Sequence, residues 1–206
     1  ADWRLKFASF KYFGFVQLSS YVANNDVAGI RWSQTAGFGY VPNEKMPNTY
    51  MSLAIDLGDK TSPYGSVHSR HKQELGKRLG DQALQKIYGV KPQYSRPLLQ
   101  AIKQDVSGAF IMSFRQASVV IRNASVGWEI CNAAGACCVP GSVASVNSTA
   151  VRLKANTSPP TGKGTMIRYL WSSFACNLLA CSLYGPGDRS EALPVGPFQF
   201  LVSDRT

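Results

Sequence analysis

The spacing of apolar residues changes near residue 90, and this change constrains the fold more than any other feature of the 206-residue chain. Before it, strand-like runs alternate with helical patterns. Phe13-Gly14-Phe15-Val16-Gln17-Leu18 is a short, mostly apolar run, as in a strand buried on both faces of a parallel sheet. A polar turn at Asn24-Asn25-Asp26 precedes a helix expected over Val27 to Ala36, with Asp26 as N-cap and Gly37 as stop. Tyr50 to Leu57 is expected as a second strand. After a loop carrying Pro63 and Gly65, the segment Arg70 to Tyr88 places Leu75, Leu79, Ala83 and Ile87 four residues apart, the period of an amphipathic helix. Strand, helix, strand, helix predicts an α/β layer over residues 1–90.

From residue 91 the apolar period falls to two. Val151 and Leu153 alternate with Arg152 and Lys154, so the apolar pair shares one face. Leu99 to Val106, Ala109 to Phe114, Ser118 to Ile121, Trp128 to Cys131, Met166 to Trp171 and Phe198 to Val202 are expected as further strands. Spacers rich in Gly, Pro, Ser and Asn separate them, which predicts an antiparallel β-sandwich over residues 91–206. The expected fold class is therefore α/β followed by β.

The net charge is +10, which invites a nucleic-acid partner, but the basic residues are dispersed. Their densest stretch, Arg70 to Arg78, is diluted by Glu74 and followed by Asp81, the pattern of a solvated helix face. No nucleic-acid partner is expected. An apolar content of 45% excludes a disordered tail, and no apolar run approaches the ~20 residues of a membrane span. The opening Ala1-Asp2-Trp3-Arg4 is no signal peptide and lacks an initiator Met, which suggests a mature or internally cut segment.

All five cysteines, Cys131, Cys137, Cys138, Cys176 and Cys181, lie in the second half without the paired spacings that zinc favours, so no metal is expected. Cys176 and Cys181 are spaced for a local bridge. Cys131 has Cys137 or Cys138 as partner, leaving one cysteine over. Sequons at Asn123, Asn147 and Asn156 cluster with these cysteines and favour a secreted or lysosomal glycoprotein.

The chain has two histidines. His71 falls among charged residues early in the second helix, where solvent exposure is expected. His68 falls in the loop after a buried-type strand and before that helix. Open parallel sheets bind ligands at the carboxyl ends of their strands, and histidine exchanges protons near neutral pH. His68 is thus a candidate catalytic base, and Asp56 or Asp59 a candidate carboxylate to orient it. No Gly-x-Ser-x-Gly elbow, Gly-Asp-Ser opening or phosphate-binding loop occurs.

Phe15-Val16-Gln17-Leu18, Ile30-Arg31-Trp32-Ser33-Gln34-Thr35, Met46-Pro47-Asn48-Thr49, Ile55-Asp56-Leu57-Gly58-Asp59 and Val67-His68-Ser69-Arg70-His71-Lys72-Gln73 stand in an order that resembles the sialate O-acetylesterases. Ile167 to Trp171, the two close cysteines, Leu193-Pro194 and Pro197-Phe198 extend the resemblance over nearly the whole chain. It implies an SGNH-type serine esterase, three-layered and α/β, that removes O-acetyl groups from sialic acids without a cofactor. It implies His68 as the base. The family's Gly-Gln-Ser-Asn nucleophile motif is absent, so the resemblance is to a carboxyl-terminal portion, with an amino-terminal chain of the same enzyme supplying the serine. The family pattern has Asp three or two residues before the His, where Gly65 and Ser66 stand, and often Pro after it, where Ser69 stands. Asp59 is then the remaining carboxylate, or the site runs as a Ser-His dyad. A rival function of another class is a non-catalytic glycan-binding or structural chain, in which Arg31 pairs with a sialate carboxylate.

Overall fold

A computed structural model describes residues 6–7, 11–22, 26–160 and 164–202. The turn residues Asn24 and Asn25 and the chain start at Ala1 lie outside them. The chain is mostly β, with eleven strands and two helices of more than one turn among the described residues.

Strands β1 (Phe13–Gln17) and β2 (Thr49–Leu53) pair in parallel, with Phe13 opposite Thr49 and Gln17 opposite Leu53. A parallel pair needs a long crossover, and helix α1 (Val27–Ser33) lies within it. The Asp26 side chain caps α1 by accepting from the Gly29 N–H at 2.7 Å. The helix stops three residues before the expected end: Ala36 and Gly37 take left-handed φ of 54° and 84°, and the Gly37 N–H donates to the Trp32 carbonyl. β2 likewise ends at Leu53 rather than Leu57, because β1 ends opposite it. The apolar run continues into a turn closed by the Leu57 N–H on the Ala54 carbonyl, with Ile55 and Leu57 fully buried.

Helix α2 (Lys72–Tyr88) packs on β2 and ends at Gly89, whose left-handed φ of 69° lets its N–H bond the Gln85 carbonyl. Its charged face is not uniformly solvated as expected. Arg78 is buried, while Leu84, Ile87 and Tyr88 are exposed.

The second half is antiparallel, as the period-two pattern predicts. β3 (Leu98–Gln104), β4 (Phe110–Arg115), β6 (Trp128–Asn132), β7 (Val139–Asn147), β8 (Ala150–Ala155), β9 (Thr165–Tyr169) and β11 (Phe198–Val202) share one sheet, ordered β11-β9-β6-β7-β8-β4-β3. Instead of two separate layers, the strands run as one sheet whose edge strands β11 and β3 approach each other. The bend falls in β7. Its Val139 and Pro140 pair with β6, while Gly141 onward pairs with β8. A Cβ on Gly141 would lie 2.8 Å from the Leu153 side chain and 3.0 Å from the Lys154 carbonyl, so a larger residue at this corner would push on both. The short strands β5 (Val120–Ile121) and β10 (Leu183–Tyr184) pair across one end.

The sheet encloses Met112, Ile130, Leu153 and Ile167, all fully buried. Each such side chain contributes roughly 1.5–3 kcal/mol by leaving water. Trp128 stacks on Tyr169 at 4.3 Å, and Phe198 meets Tyr169 at 5.4 Å. Ile55, from the turn after β2, belongs to the same cluster. That contact sets the loop bearing His68 against the β half.

Candidate functional site

The loop Gly58–His71 leaves the carboxyl end of β2 and enters α2. Successive turns shape it: the Ser62 N–H donates to Asp59, the Gly65 N–H to Ser62 and the His68 N–H to Gly65, the last at 2.9 Å. Gly65 takes a left-handed φ of 93°. The Ser62 hydroxyl donates to the His68 carbonyl at 2.7 Å, and the Ser66 hydroxyl accepts from the Val22 N–H at 2.9 Å. These bonds hold the loop backbone while the His68 side chain stays exposed. Its imidazole makes no hydrogen bond or ion pair with any described residue, so it is open to a group brought from outside. His71, expected in solvent, is half-buried at the N-cap of α2.

Neither candidate carboxylate orients His68. Asp59 is turned the other way: its Oδ2 accepts from Arg70 Nε at 2.7 Å and its Oδ1 from Arg70 Nη2 at 3.0 Å, with the Thr61 hydroxyl also on Oδ1. These Arg70 bonds hold the Asp59 carboxyl well below the usual carboxylate range and raise the arginine in turn. The physical reason is geometric. The Asp59 carboxylate matches a guanidinium fork, and Arg70 closes the loop on it. Asp56 is fully buried under Arg78 and the Tyr184 hydroxyl. The sequence carried a signal for the Asp59 pairing, since Asp59 and Arg70 bracket the loop that holds His68.

Arg31, expected to reach a sialate carboxylate, is fully buried. Its guanidinium donates to the carbonyls of Leu18, Ser19, Ser172 and Ser173 at 2.9, 2.8, 2.9 and 2.6 Å. Burial pushes its pKa down to about 10. It clamps the segment after β1 to the segment after β9, and no ligand can approach it.

The cysteines bridge as Cys131–Cys138 and Cys176–Cys181, leaving Cys137 free and exposed. Glu129 lies near the sulfurs of Cys131 and Cys138, but both are committed to a disulfide and offer no thiolate to a metal. Asn123, Asn147 and Asn156 are all exposed. The Asn147 side chain accepts from the Thr149 N–H at 2.9 Å and from its hydroxyl at 3.2 Å. No helix among the described residues is long and apolar enough to cross a membrane.

The family model described as the sialate O-acetylesterase C-terminal domain matches residues 100–202. Sialate O-acetylesterase from Homo sapiens is 35% identical over 225 residues, covering 99% of this chain and 41% of the relative. The Mus musculus protein of the same name is 36% identical over 220 residues, covering 99% and 40%. The chain thus spans about 40% of the length of these relatives. Among solved structures, a carbohydrate acetylesterase from Xanthomonas citri superposes with a TM-score of 0.75 at 24% identity, covering 97% of this chain and 43% of that one. At that identity the likeness is one of fold.

Proposed function

The chain belongs to the sialate O-acetylesterase family, and from that premise we propose that it is the carboxyl-terminal portion of a serine carbohydrate esterase that removes O-acetyl groups from sialic acids. In this reading residues 1–90 complete an SGNH-type α/β layer and residues 91–206 form an accessory β domain. His68 is the general base. The observation that carries this is its position: an exposed imidazole on a backbone-anchored loop at the carboxyl end of a parallel strand. The nucleophile comes from an amino-terminal chain of the same enzyme. Two parallel strands are too few for a sheet of this kind, which supports a docked partner completing it.

The reaction follows from those groups. Neutral His68 takes the proton of the partner's serine as its oxygen attacks the acetyl carbonyl. Protonated His68 then gives the proton to the departing sugar hydroxyl. Water, deprotonated by the same imidazole, attacks the acyl-enzyme, releases acetate and restores the serine. With Asp59 engaged by Arg70, the site works as a Ser-His dyad. Three exposed acceptor sequons, at Asn123, Asn147 and Asn156, suit a secreted or lysosomal setting.

Replacing His68 with Ala in the assembled enzyme tests the reading. Hydrolysis of an O-acetylated sialoside is expected to fall by roughly 10²–10⁴-fold, the usual contribution of a positioned acid–base group. Turnover within a few-fold of the parent would favour the non-catalytic alternative.

A further inference from the structure

A cleft of about 480 Å³ opens at the far end of β2 from His68, between the α/β half and the sheet. Tyr50, near the amino end of β2, and Gln82 and Lys86, in the carboxyl half of α2, line one side. Arg96 and Arg115 line the other. Three of its lining residues are cationic, and no Asp or Glu is among them. A second cavity of about 380 Å³ shares Tyr40, Leu98 and Arg115 with it and adds the aromatic rings of Trp32 and Phe38.

Arg96 sets this cleft apart from the rest of the molecule. Arg31, Arg70, Arg78 and Arg152 each donate to named carbonyls or carboxylates. Arg96 is half-buried, just before β3, yet makes no hydrogen bond or ion pair with a described residue. Burial lowers its pKa to about 10, so it remains a cation at neutral pH. The Arg115 guanidinium lies over the Tyr40 ring at 5.4 Å, a contact that leaves its N–H donors free for a ligand. Glu191, which accepts from the Tyr94 hydroxyl, lines the neighbouring cavity beside α2 rather than this one.

We propose that this cleft is a binding site for an acidic saccharide, with Arg96 taking its carboxylate and Arg115 and Tyr40 flanking its ring. A guanidinium presents two parallel donors that match one carboxylate. Glutamine amides and tyrosine hydroxyls suit a hydroxyl-rich ligand, and aromatic faces suit its C–H surfaces. A nucleic acid asks instead for cations strung along a backbone, and here only Lys86 joins the two arginines. The site lies away from His68 and stands whether or not His68 is catalytic.

Calorimetry of the full chain with 3′-sialyllactose, its methyl ester, lactose and a single-stranded oligonucleotide at physiological salt tests this. Sialyllactose binding is expected, with lactose and the methyl ester at least roughly tenfold weaker, the scale of one charge-assisted pair. Arg96→Gln and Arg115→Gln are each expected to weaken sialyllactose binding roughly tenfold. No binding, equal binding of the uncharged sugars, or tighter binding of the oligonucleotide would overturn the proposal. So would full affinity in a folded Arg96→Gln protein. Should Arg96→Gln fail to fold, the exposed Arg115→Gln variant decides in the same way.

Discussion

The Arg78 guanidinium holds Asp56 through two nitrogens, at 2.6 and 3.0 Å, with the two side chains only 6% and 0% exposed. The pair joins α2 to the turn after β2. A third hydrogen bond, from the Tyr184 hydroxyl to Asp56 at 3.2 Å, extends it to β10 in the other half of the chain. The Asp56 carbonyl accepts from the Leu179 N–H, inside the loop closed by the Cys176–Cys181 bridge. One buried carboxylate thus ties together the helix, the strand end and the β half. It is structural support beneath the His68 loop.

Removing one member leaves the other charge buried and unpaired, which costs about 3–5 kcal/mol. Arg78→Met is expected to lower stability by that amount in urea unfolding at neutral pH. Adding Asp56→Asn to it is expected to restore part of the loss, because the stranded charge is then gone. A double variant less stable than either single one would contradict the pairing.

Which parts of this arrangement the sequence announced follows from how local each signal is. β1, α1 and α2 are visible because their own residues carry the period. β7 is not: Val139-Pro140-Gly141-Ser142-Val143-Ala144-Ser145 has the composition of a spacer, and it is a strand only because β6 and β8 flank it. β10 is two residues held by β5. Arg31 and Arg78 look like surface residues of helices, and their burial depends on carbonyls and a carboxylate far along the chain. Arg96 carries no motif at all. The loop position of His68 was legible because a loop between a strand and a helix is a local feature. The partner of Asp59 was settled by how that loop closes.

The clamp at Arg31 gives a second prediction. Its guanidinium satisfies four carbonyls drawn from two segments far apart in the chain, Leu18 and Ser19 on one side and Ser172 and Ser173 on the other. Arg31→Met fills similar space but strands those acceptors, and each unsatisfied group costs ~1–3 kcal/mol. A loss of about 3 kcal/mol or more in urea unfolding is expected. An unfolding midpoint equal to the parent's would show that water replaces the guanidinium without cost.

The Asp59–Arg70 pair gives a prediction about acid. Because Arg70 depresses the folded-state pKa of Asp59, the carboxylate contributes stability above its unfolded value of ~3.9. That contribution is lost as pH falls through the lower folded value. Asp59→Asn removes it. The gap in urea midpoint between parent and variant is expected to stay constant from neutral pH down to about 5 and to shrink below about 4. A gap that widens with acid would mean that Asp59 gains rather than loses on protonation.

The cysteines give the last prediction. Cys137 is exposed and free beside a bridge that pins the hairpin between β6 and β7. Alkylation of the native, unreduced chain is expected to label one thiol, at Cys137. Cys137→Ser removes an exposed side chain and is expected to change stability by less than about 0.5 kcal/mol. Cys138→Ser is different, because it opens a bridge that links residues seven apart. Constraining so short a loop in the unfolded chain is worth about 2 kcal/mol on the chain-entropy account. That variant should therefore melt well below Cys137→Ser and should label at both Cys131 and Cys137 once unfolded. Labelling of Cys138 in the native parent would mean that Cys131 pairs with Cys137 instead, and the two serine variants would then exchange their stabilities.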